Sequence, residues 1–415
     1  MFRQKFFMLI LIGVWLLTAC QPTTPPFKCT DAIGCVDILP GEPIEIGVLQ
    51  ALSAELGEIG LVQVRAVELR VADVDDQLLG HPLKLHVFDS GCSPEAGSSA
   101  ALALITRPQI VGVIGTTCSG AAVMASTEIS EAGMVLLSGT NSTPSLTSIN
   151  KQPGENWQGG YFRTMYNGIN MATMAAAFAY QELGISNVAT INDGSVFTRE
   201  FTQEFERKFE ELGGEVVISI GINIGDKNMI PVLEAIAHTD PQLIYFPLYE
   251  PEALTLITQA TEIAGLEDSL LIGSGTLRSE NFLNKVGENG LGLYFLSTKE
   301  LSSPSYDQLL ADYQTRYGEK PNHFSFPYGY DAASLLFTAL ESVAIQEPDG
   351  TLHIGRAALR EALYATVDFE GTTGLLTCTE FGDCFGGTYT IVRLDDLAAG
   401  LAGLDANIVY TYKQD

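Results

Sequence analysis

From residue 44 onward, short apolar runs rich in β-branched residues alternate with longer stretches whose apolar positions recur every three or four residues. Residues 44–49 predict a strand, and Val64, Val67, Val71 and Val74 then fall on one face of a helix. Strand 83–88, helix 95–106, the fully apolar strand 110–114, a helix opening near Ser119 and strand 134–137 follow. That order places parallel strands in one sheet with right-handed helical crossovers between them. The alternation restarts after Tyr161-Phe162-Arg163-Thr164. Helices are predicted over 171–183, 199–212, 228–238 and 252–264, and strands over 187–191, 216–220, 243–246 and 269–272. Two α/β domains in tandem are the economical reading. The last hundred residues add helices near 306–316, 330–343 and 356–364 and a strand over 388–394, pieces able to complete either half.

Open α/β sheets bind ligands beyond the carboxyl ends of their strands, so the loops after Ile114, Leu137, Ile191, Phe246 and Ile272 are the candidate functional positions. The first, Gly115-Thr116-Thr117-Cys118-Ser119-Gly120, sets Ser119 at a helix N-terminus, where free N–H groups and the helix dipole favour an anion such as a carboxylate. A plain N-cap would also account for a serine there. The second, Ser138-Gly139-Thr140-Asn141-Ser142-Thr143-Pro144, offers four hydroxyls and an amide, more donors than a purely structural turn needs.

Composition narrows the class. A chain of 415 residues, 46% hydrophobic and 17% charged, is globular and has room for two or three domains. Its 22 basic against 50 acidic residues, net −28, exclude an electrostatic nucleic-acid binder and make an anionic membrane surface unattractive. The acids are dispersed rather than blocked, so solubility accounts for them.

Arg3 and Lys5 precede an apolar run over 6–17, then Leu17-Thr18-Ala19-Cys20. Twelve residues are too few for a spanning helix, which needs ~20. Residues 1–19 read as a secretory signal, and the cysteine that follows resembles the bacterial lipoprotein pattern, in which the Cys20 thiol is diacylated. The Pro/Thr-rich stretch after it makes 20–43 a lipid-anchored linker. Expected localisation is therefore extracytoplasmic, with membrane contact through the lipid. Six cysteines remain, and sequence proximity suggests Cys29–Cys35, Cys92–Cys118 and Cys378–Cys384, one of fifteen connectivities. With no CxxC pair, no HExxH and five scattered histidines, no metal site and no cofactor are expected.

Taken together these segments resemble the type 1 periplasmic binding proteins that deliver branched-chain amino acids and related compounds to ABC importers. Ile46-Gly47-Val48 with Leu52-Ser53 is similar to the family's opening strand and loop, and Phe88-Asp89-Ser90-Gly91-Cys92 and the Cys118 loop to the two ends of its disulfide. Pro144-Ser145-Leu146-Thr147 closes its second ligand loop, Phe162-Arg163-Thr164 resembles the crossing between its domains, and Tyr330-Asp331-Ala332 its late helix. The resemblance implies a two-lobe fold, each lobe a mainly parallel sheet flanked by helices, joined by three hinge crossovers. Lobe 1 would comprise 44–161 and 298–370, lobe 2 162–297 and 371–415. It further implies a small-molecule ligand held as the lobes close, ABC permease subunits as partners, a monomer, and no chemistry.

Carried over residue by residue, Ser119 and Ser142 would donate hydroxyls to a ligand carboxylate, Thr140 and Ser142 would add main-chain contacts, and Ser53 in the opening loop and Asn141 in the second loop would also bind ligand. Phe197 and Tyr249 would cover the ligand's apolar part. Two positions depart from the family. Gly275, in Gly273-Ser274-Gly275-Thr276, stands where amino-acid binders pair the α-ammonium with a glutamate, and Ile59 replaces the first-lobe aromatic. Either Glu250 or Asp193 substitutes for that glutamate, or the ligand has no ammonium, since a desolvated ammonium without a partner costs several kcal/mol. A tethered receptor feeding a signalling partner would use the same cleft. An enzyme is disfavoured, since the sequence has no Gly-x-Ser-x-Gly, Walker loop or Gly-x-Gly-x-x-Gly after a first strand.

Overall fold

A computed structural model describes residues 27–53, 56–299, 301 and 303–412; the signal segment and Cys20 lie outside them. Strand β1 (Cys35–Ile38) is followed by β2 (Ile44–Gln50), α1 (Gly57–Ala72), β3 (His81–Asp89), α2 (Pro94–Ile105), β4 (Ile110–Gly115), α3 (Ser119–Glu131), β5 (Leu136–Ser138) and β6 (Tyr161–Arg163). The last five of these strands are the parallel part of a six-stranded sheet, in the order β3-β2-β4-β5-β6 with Ile46 beside both Leu85 and Gly112, and the short strand Gln77–Leu78 pairs antiparallel with β3 at its edge. Apolar side chains of β4 feed the cores on both faces: Val111 and Ile114 join the one built around β2, Val113 the one that includes Leu104 and Ile129. A strand covered on both sides must be apolar throughout, which is what residues 110–114 display.

The second lobe repeats the scheme with α4 (Gly168–Ala177), β7 (Asn187–Asn192), α5 (Val196–Glu211), β8 (Glu215–Gly221), α6 (Ile230–Ala237), β9 (Leu243–Phe246), α7 (Glu250–Ala260), β10 (Leu270–Gly273), α8 (Glu280–Val286) and β11 (Tyr294–Thr298). Helix α5 starts three residues earlier than its apolar periodicity suggests, because the Ser195 hydroxyl accepts from Thr198 N–H and caps it. Phe197, Phe201, Phe205 and Phe209, four apart and all buried, then make one continuous stripe against the sheet.

Helices α9 (Pro304–Tyr317) and α10 (Phe326–Val343) return to the first lobe, where both pack on α1. Strand β12 (Leu352–Gly355), α11 (Arg356–Tyr364) and the hairpin β13 (Phe369–Gly371) with β14 (Gly374–Leu376) follow. Strand β15 (Tyr389–Arg393) then enters the second sheet, and after α12 (Gly400–Ala406), β16 (Ile408–Tyr412) ends it, in the order β8-β7-β9-β10-β11-β15-β16. The final two strands run antiparallel.

Three boundaries differ from the sequence-based expectation. The stretch assigned to the linker is folded from residue 27: β1 pairs with β12, and the Asp31 carboxylate accepts from Ala357 N–H and Ala358 N–H at the start of α11. Residues 371–384 belong with the first lobe rather than the second. Leu376, Cys378 and Cys384 enter its core, and the buried Asp331 accepts both N–H groups and both hydroxyls of Thr372 and Thr373. Strand β6 reaches Arg163 in the first sheet, so the passage into the second lobe begins after it. The three cysteine pairs Cys29–Cys35, Cys92–Cys118 and Cys378–Cys384 are all disulfide-bonded.

Candidate functional site

The carboxyl-terminal loops of both sheets face each other across one narrow cleft. Its inner part is lined by Ser119, Thr140 and Ser142 from the first lobe, by Phe197 and Tyr249 from the second, and by the crossing segments at Tyr166 and His323. The free space there is about 30 Å³. It adjoins an outer cavity of about 420 Å³ past Leu56, Ile59, Tyr249 and Thr276.

Ser119 is the first residue of α3 rather than its cap, which is Cys118. The Ser119 hydroxyl accepts from Ser142 N–H at 3.3 Å and Thr143 N–H at 3.4 Å, so the two hydroxyl-rich loops are bonded to one another. Its own proton has no acceptor among the described residues. The Cys92–Cys118 disulfide ties this helix start to the loop after β3. Thr140 donates its hydroxyl to the carbonyls of Thr116 and Thr117, at 2.8 and 2.9 Å. The main-chain N–H groups of Thr140 and Ser142, expected to meet a ligand, already have partners in Ser138 Oγ and Ser119 Oγ. Helix α1 approaches this side closely: a Cβ on Gly60 would lie 1.7 Å from the Ala51 carbonyl oxygen, which only glycine permits.

In the second lobe, Phe197 and Tyr249 pack with ring centroids 5.1 Å apart. Burial, with Asp193 close by, pushes the Tyr249 hydroxyl well above its ordinary pKa, so it stays protonated. Tyr166 is raised for the same first reason.

Four residues marked in the sequence do not line the inner cleft. Asn141 is fully buried and turned into the loop, where its amide donates to the Thr116 and Thr117 carbonyls and its oxygen accepts from Tyr161. Ser53 is exposed and hydrogen-bonds Asp89. The carboxylate of Asp193 accepts from Ser195 N–H and the Thr198 hydroxyl, an internal turn of the loop before α5. Glu250 reaches only the outer cavity, and there it is paired with Lys285 at 2.6 Å and Asn281 at 3.1 Å. Gly275 is enclosed: a Cβ there would meet the Leu296 carbonyl at 2.7 Å and the Tyr166 hydroxyl at 3.3 Å. No carboxylate can therefore project into the cleft from this position in the present backbone.

Tyr166, His323, Phe324 and Ser325 were not found as site residues by sequence reading. They sit in segments passing between the lobes, where no periodicity marks them, and only the aromatic and polar run Asn322-His323-Phe324-Ser325 ahead of α10 hints at a role. Among the described residues there is no cluster of three or more side chains able to hold a metal, and no helix long and apolar enough to cross a membrane.

Two α/β lobes facing one another across a hydroxyl-lined cleft define a two-lobe binding-protein fold. The model of the periplasmic binding protein family matches residues 43–396, so the chain belongs to that family, in its type 1, branched-chain amino acid branch. It is thus a substrate-binding protein of the kind that serves ABC transporters, a family that works outside the cytoplasm. Leu/Ile/Val-binding protein homolog 3 of Brucella melitensis is 23% identical over 361 residues, 85% of this chain and 92% of that one. The match to an amino acid binding protein of Pseudomonas aeruginosa, 25% identical, spans 52% of that protein's length, about half. Among solved structures, the substrate-binding protein LivJ of Streptococcus pneumoniae, crystallised with isoleucine, superposes with TM-score 0.72 at 20% identity, covering 89% of this chain and 98% of that one. An R. palustris solute-binding protein in complex with benzoate gives 0.71 at 20% identity, covering 85% and 93%.

Proposed function

We propose that this protein is an extracytoplasmic solute-binding lipoprotein of an ABC importer, anchored through Cys20, and that it captures a small carboxylate without an α-ammonium group. The observation that carries this reading is the polarity of the cleft. Hydroxyls at Ser119 and Ser142 stand beside the N-terminus of α3, while the glutamate position of amino-acid binders is a glycine with no room for a side chain. Glu250, one candidate substitute, is neutralised by Lys285, and Asp193 is bonded within its own loop. An ammonium would enter without a partner, whereas a carboxylate exchanges its water for helix N–H groups and hydroxyls. The aromatic pair Phe197 and Tyr249 supplies an apolar wall for the remainder. Of the two neighbours' ligands, benzoate has these features and isoleucine does not. The inner space is narrow, and the reading has the lobes part to admit such a solute and close over it.

Thermal melting tests the reading. At 100 times the dissociation constant, a ligand binding only the folded state stabilises it by about 2.7 kcal/mol. Benzoate, 4-hydroxybenzoate or a branched aliphatic acid should raise the Tm, and leucine and isoleucine should not. Ser119→Ala should weaken the acid at least tenfold, since a hydrogen bond to a charged group contributes roughly 1.5–3 kcal/mol. A larger shift with leucine than with any of these acids contradicts the proposal.

A further inference from the structure

His323 lies on the crossing segment ahead of α10 and lines the inner cleft, the outer cavity and a third cavity behind them. It is 93% buried by its 7% exposure. Its two ring nitrogens are treated very differently. Nδ1 accepts from Ser325 N–H at 3.2 Å and lies 2.7 Å from the Ser325 hydroxyl. That hydroxyl in turn accepts from the side-chain amide of Gln63 at 3.0 Å, and the same amide donates to the Ser325 carbonyl at 2.8 Å, which fixes which end of the amide is the donor. The chain Gln63 to Ser325 to Nδ1 therefore leaves the imidazole proton on Nε2. Nε2 is buried and has no hydrogen-bond partner among the described residues. A buried donor left without an acceptor is costly, and in a cleft that closes on a solute it is a binding group awaiting its partner.

Resting on the reading of the cleft as a carboxylate site, we propose that His323 is a specificity-determining residue whose Nε2–H donates to an oxygen of the bound solute and so selects oxygen acceptors over ammonium groups. The ring is neutral, because burial and the nearby Arg278 both disfavour the cation. With Nδ1 held as an acceptor by Ser325, Nε2 can act only as a donor. A carboxylate, carbonyl or hydroxyl oxygen satisfies it, while an ammonium sets donor against donor and leaves both unpaired. Gly275 and His323 thus act in one direction: the first removes an acceptor and the second supplies a donor.

The full-length chain in detergent, with benzoate, 4-hydroxybenzoate, a branched aliphatic acid and leucine as calorimetric probes, tests this. Wild type should bind at least one of the first three and prefer it to leucine. His323→Leu should lose about tenfold for that acid, and His323→Gln, which keeps an N–H donor, should stay within about threefold of wild type. Nitrogen-15 spectra of the imidazole should show the proton on Nε2 before addition and its exchange with water slowed on saturation, a change that a merely structural histidine would not give. Full affinity in His323→Leu, or a proton on Nδ1, overturns the inference and leaves the carboxylate reading standing. Full affinity in Ser119→Ala with loss in His323→Leu removes Ser119 as a carboxylate partner and leaves the His323 donor standing. Wild type that binds neither of the benzoates nor a branched aliphatic acid overturns both.

Discussion

At the scale of single residues, the site is a matter of which hydrogen-bonding groups remain uncommitted after folding. Thr140 and Asn141 came from the same polar loop as Ser142, yet their side chains are occupied by the Thr116 and Thr117 carbonyls, and only Ser142 and Ser119 keep hydroxyls toward the cleft. The loop's polarity is visible in the sequence; the division of labour within it depends on which way each side chain turns. His323 is a second case. Burial pushes its pKa down to about 3 from an ordinary value near 6.5. Between those values the unfolded chain binds a proton that the folded chain refuses, so stability rises with pH across that window and is fully recovered above 6.5. Acidification from pH 7 to 4 should therefore destabilise wild type more than His323→Gln, by up to about 3 kcal/mol. Urea unfolding of both proteins at the two pH values measures the difference, and equal losses would mean that the ring titrates normally.

Among the elements, most strands and helices were legible because both sheets are mainly parallel and their central strands are buried on two faces, which makes each of those strands a dense apolar run. What escaped was joinery. Residues 161–164 and 382–384 run side by side where the chain passes between lobes, with Arg163 N–H donating to the Gly382 carbonyl and Cys384 N–H to that of Arg163. The Arg163 guanidinium is completely buried, bonded to Asp383 at 2.6 Å, to the Thr143 carbonyl at 2.7 Å and to the Thr147 hydroxyl. It links the second hydroxyl-rich loop to the hinge. No motif announces a pair separated by 220 positions. Removing one partner strands the other charge, so Asp383→Ala should cost about 3–5 kcal/mol, readable as a lowered midpoint in chemical denaturation. Gly275→Glu belongs at this scale as well. The family's side chain should not restore leucine binding here, because it collides with the carbonyl of β11, and the variant should melt earlier than wild type.

For the molecule as a whole, the two-lobe architecture follows from the restart of the alternation at Tyr161, whereas the allegiance of residues 27–43 and 371–384 rests on disulfides and turn-capping carboxylates that a hydrophobic pattern does not record. The net charge of −28 sets a further expectation. A carboxylate approaching so acidic a body is repelled at long range, and salt screens that repulsion. The association rate for an anionic solute should rise as sodium chloride increases from 10 to about 200 mM, which stopped-flow fluorescence would register; a falling rate would point to a cationic solute.

The fastening of the amino-terminal stretch has a mechanical consequence. Strand β1 sits against β12, Phe27 stacks on His353 with centroids 3.8 Å apart, and Asp31 grips the start of α11, so any leash at that end pulls on the first lobe alone. Under the proposed anchor at Cys20, the first lobe would be moored and the second left free to swing, so that a transporter at that surface would meet cargo on a fixed bed beneath a moving cover.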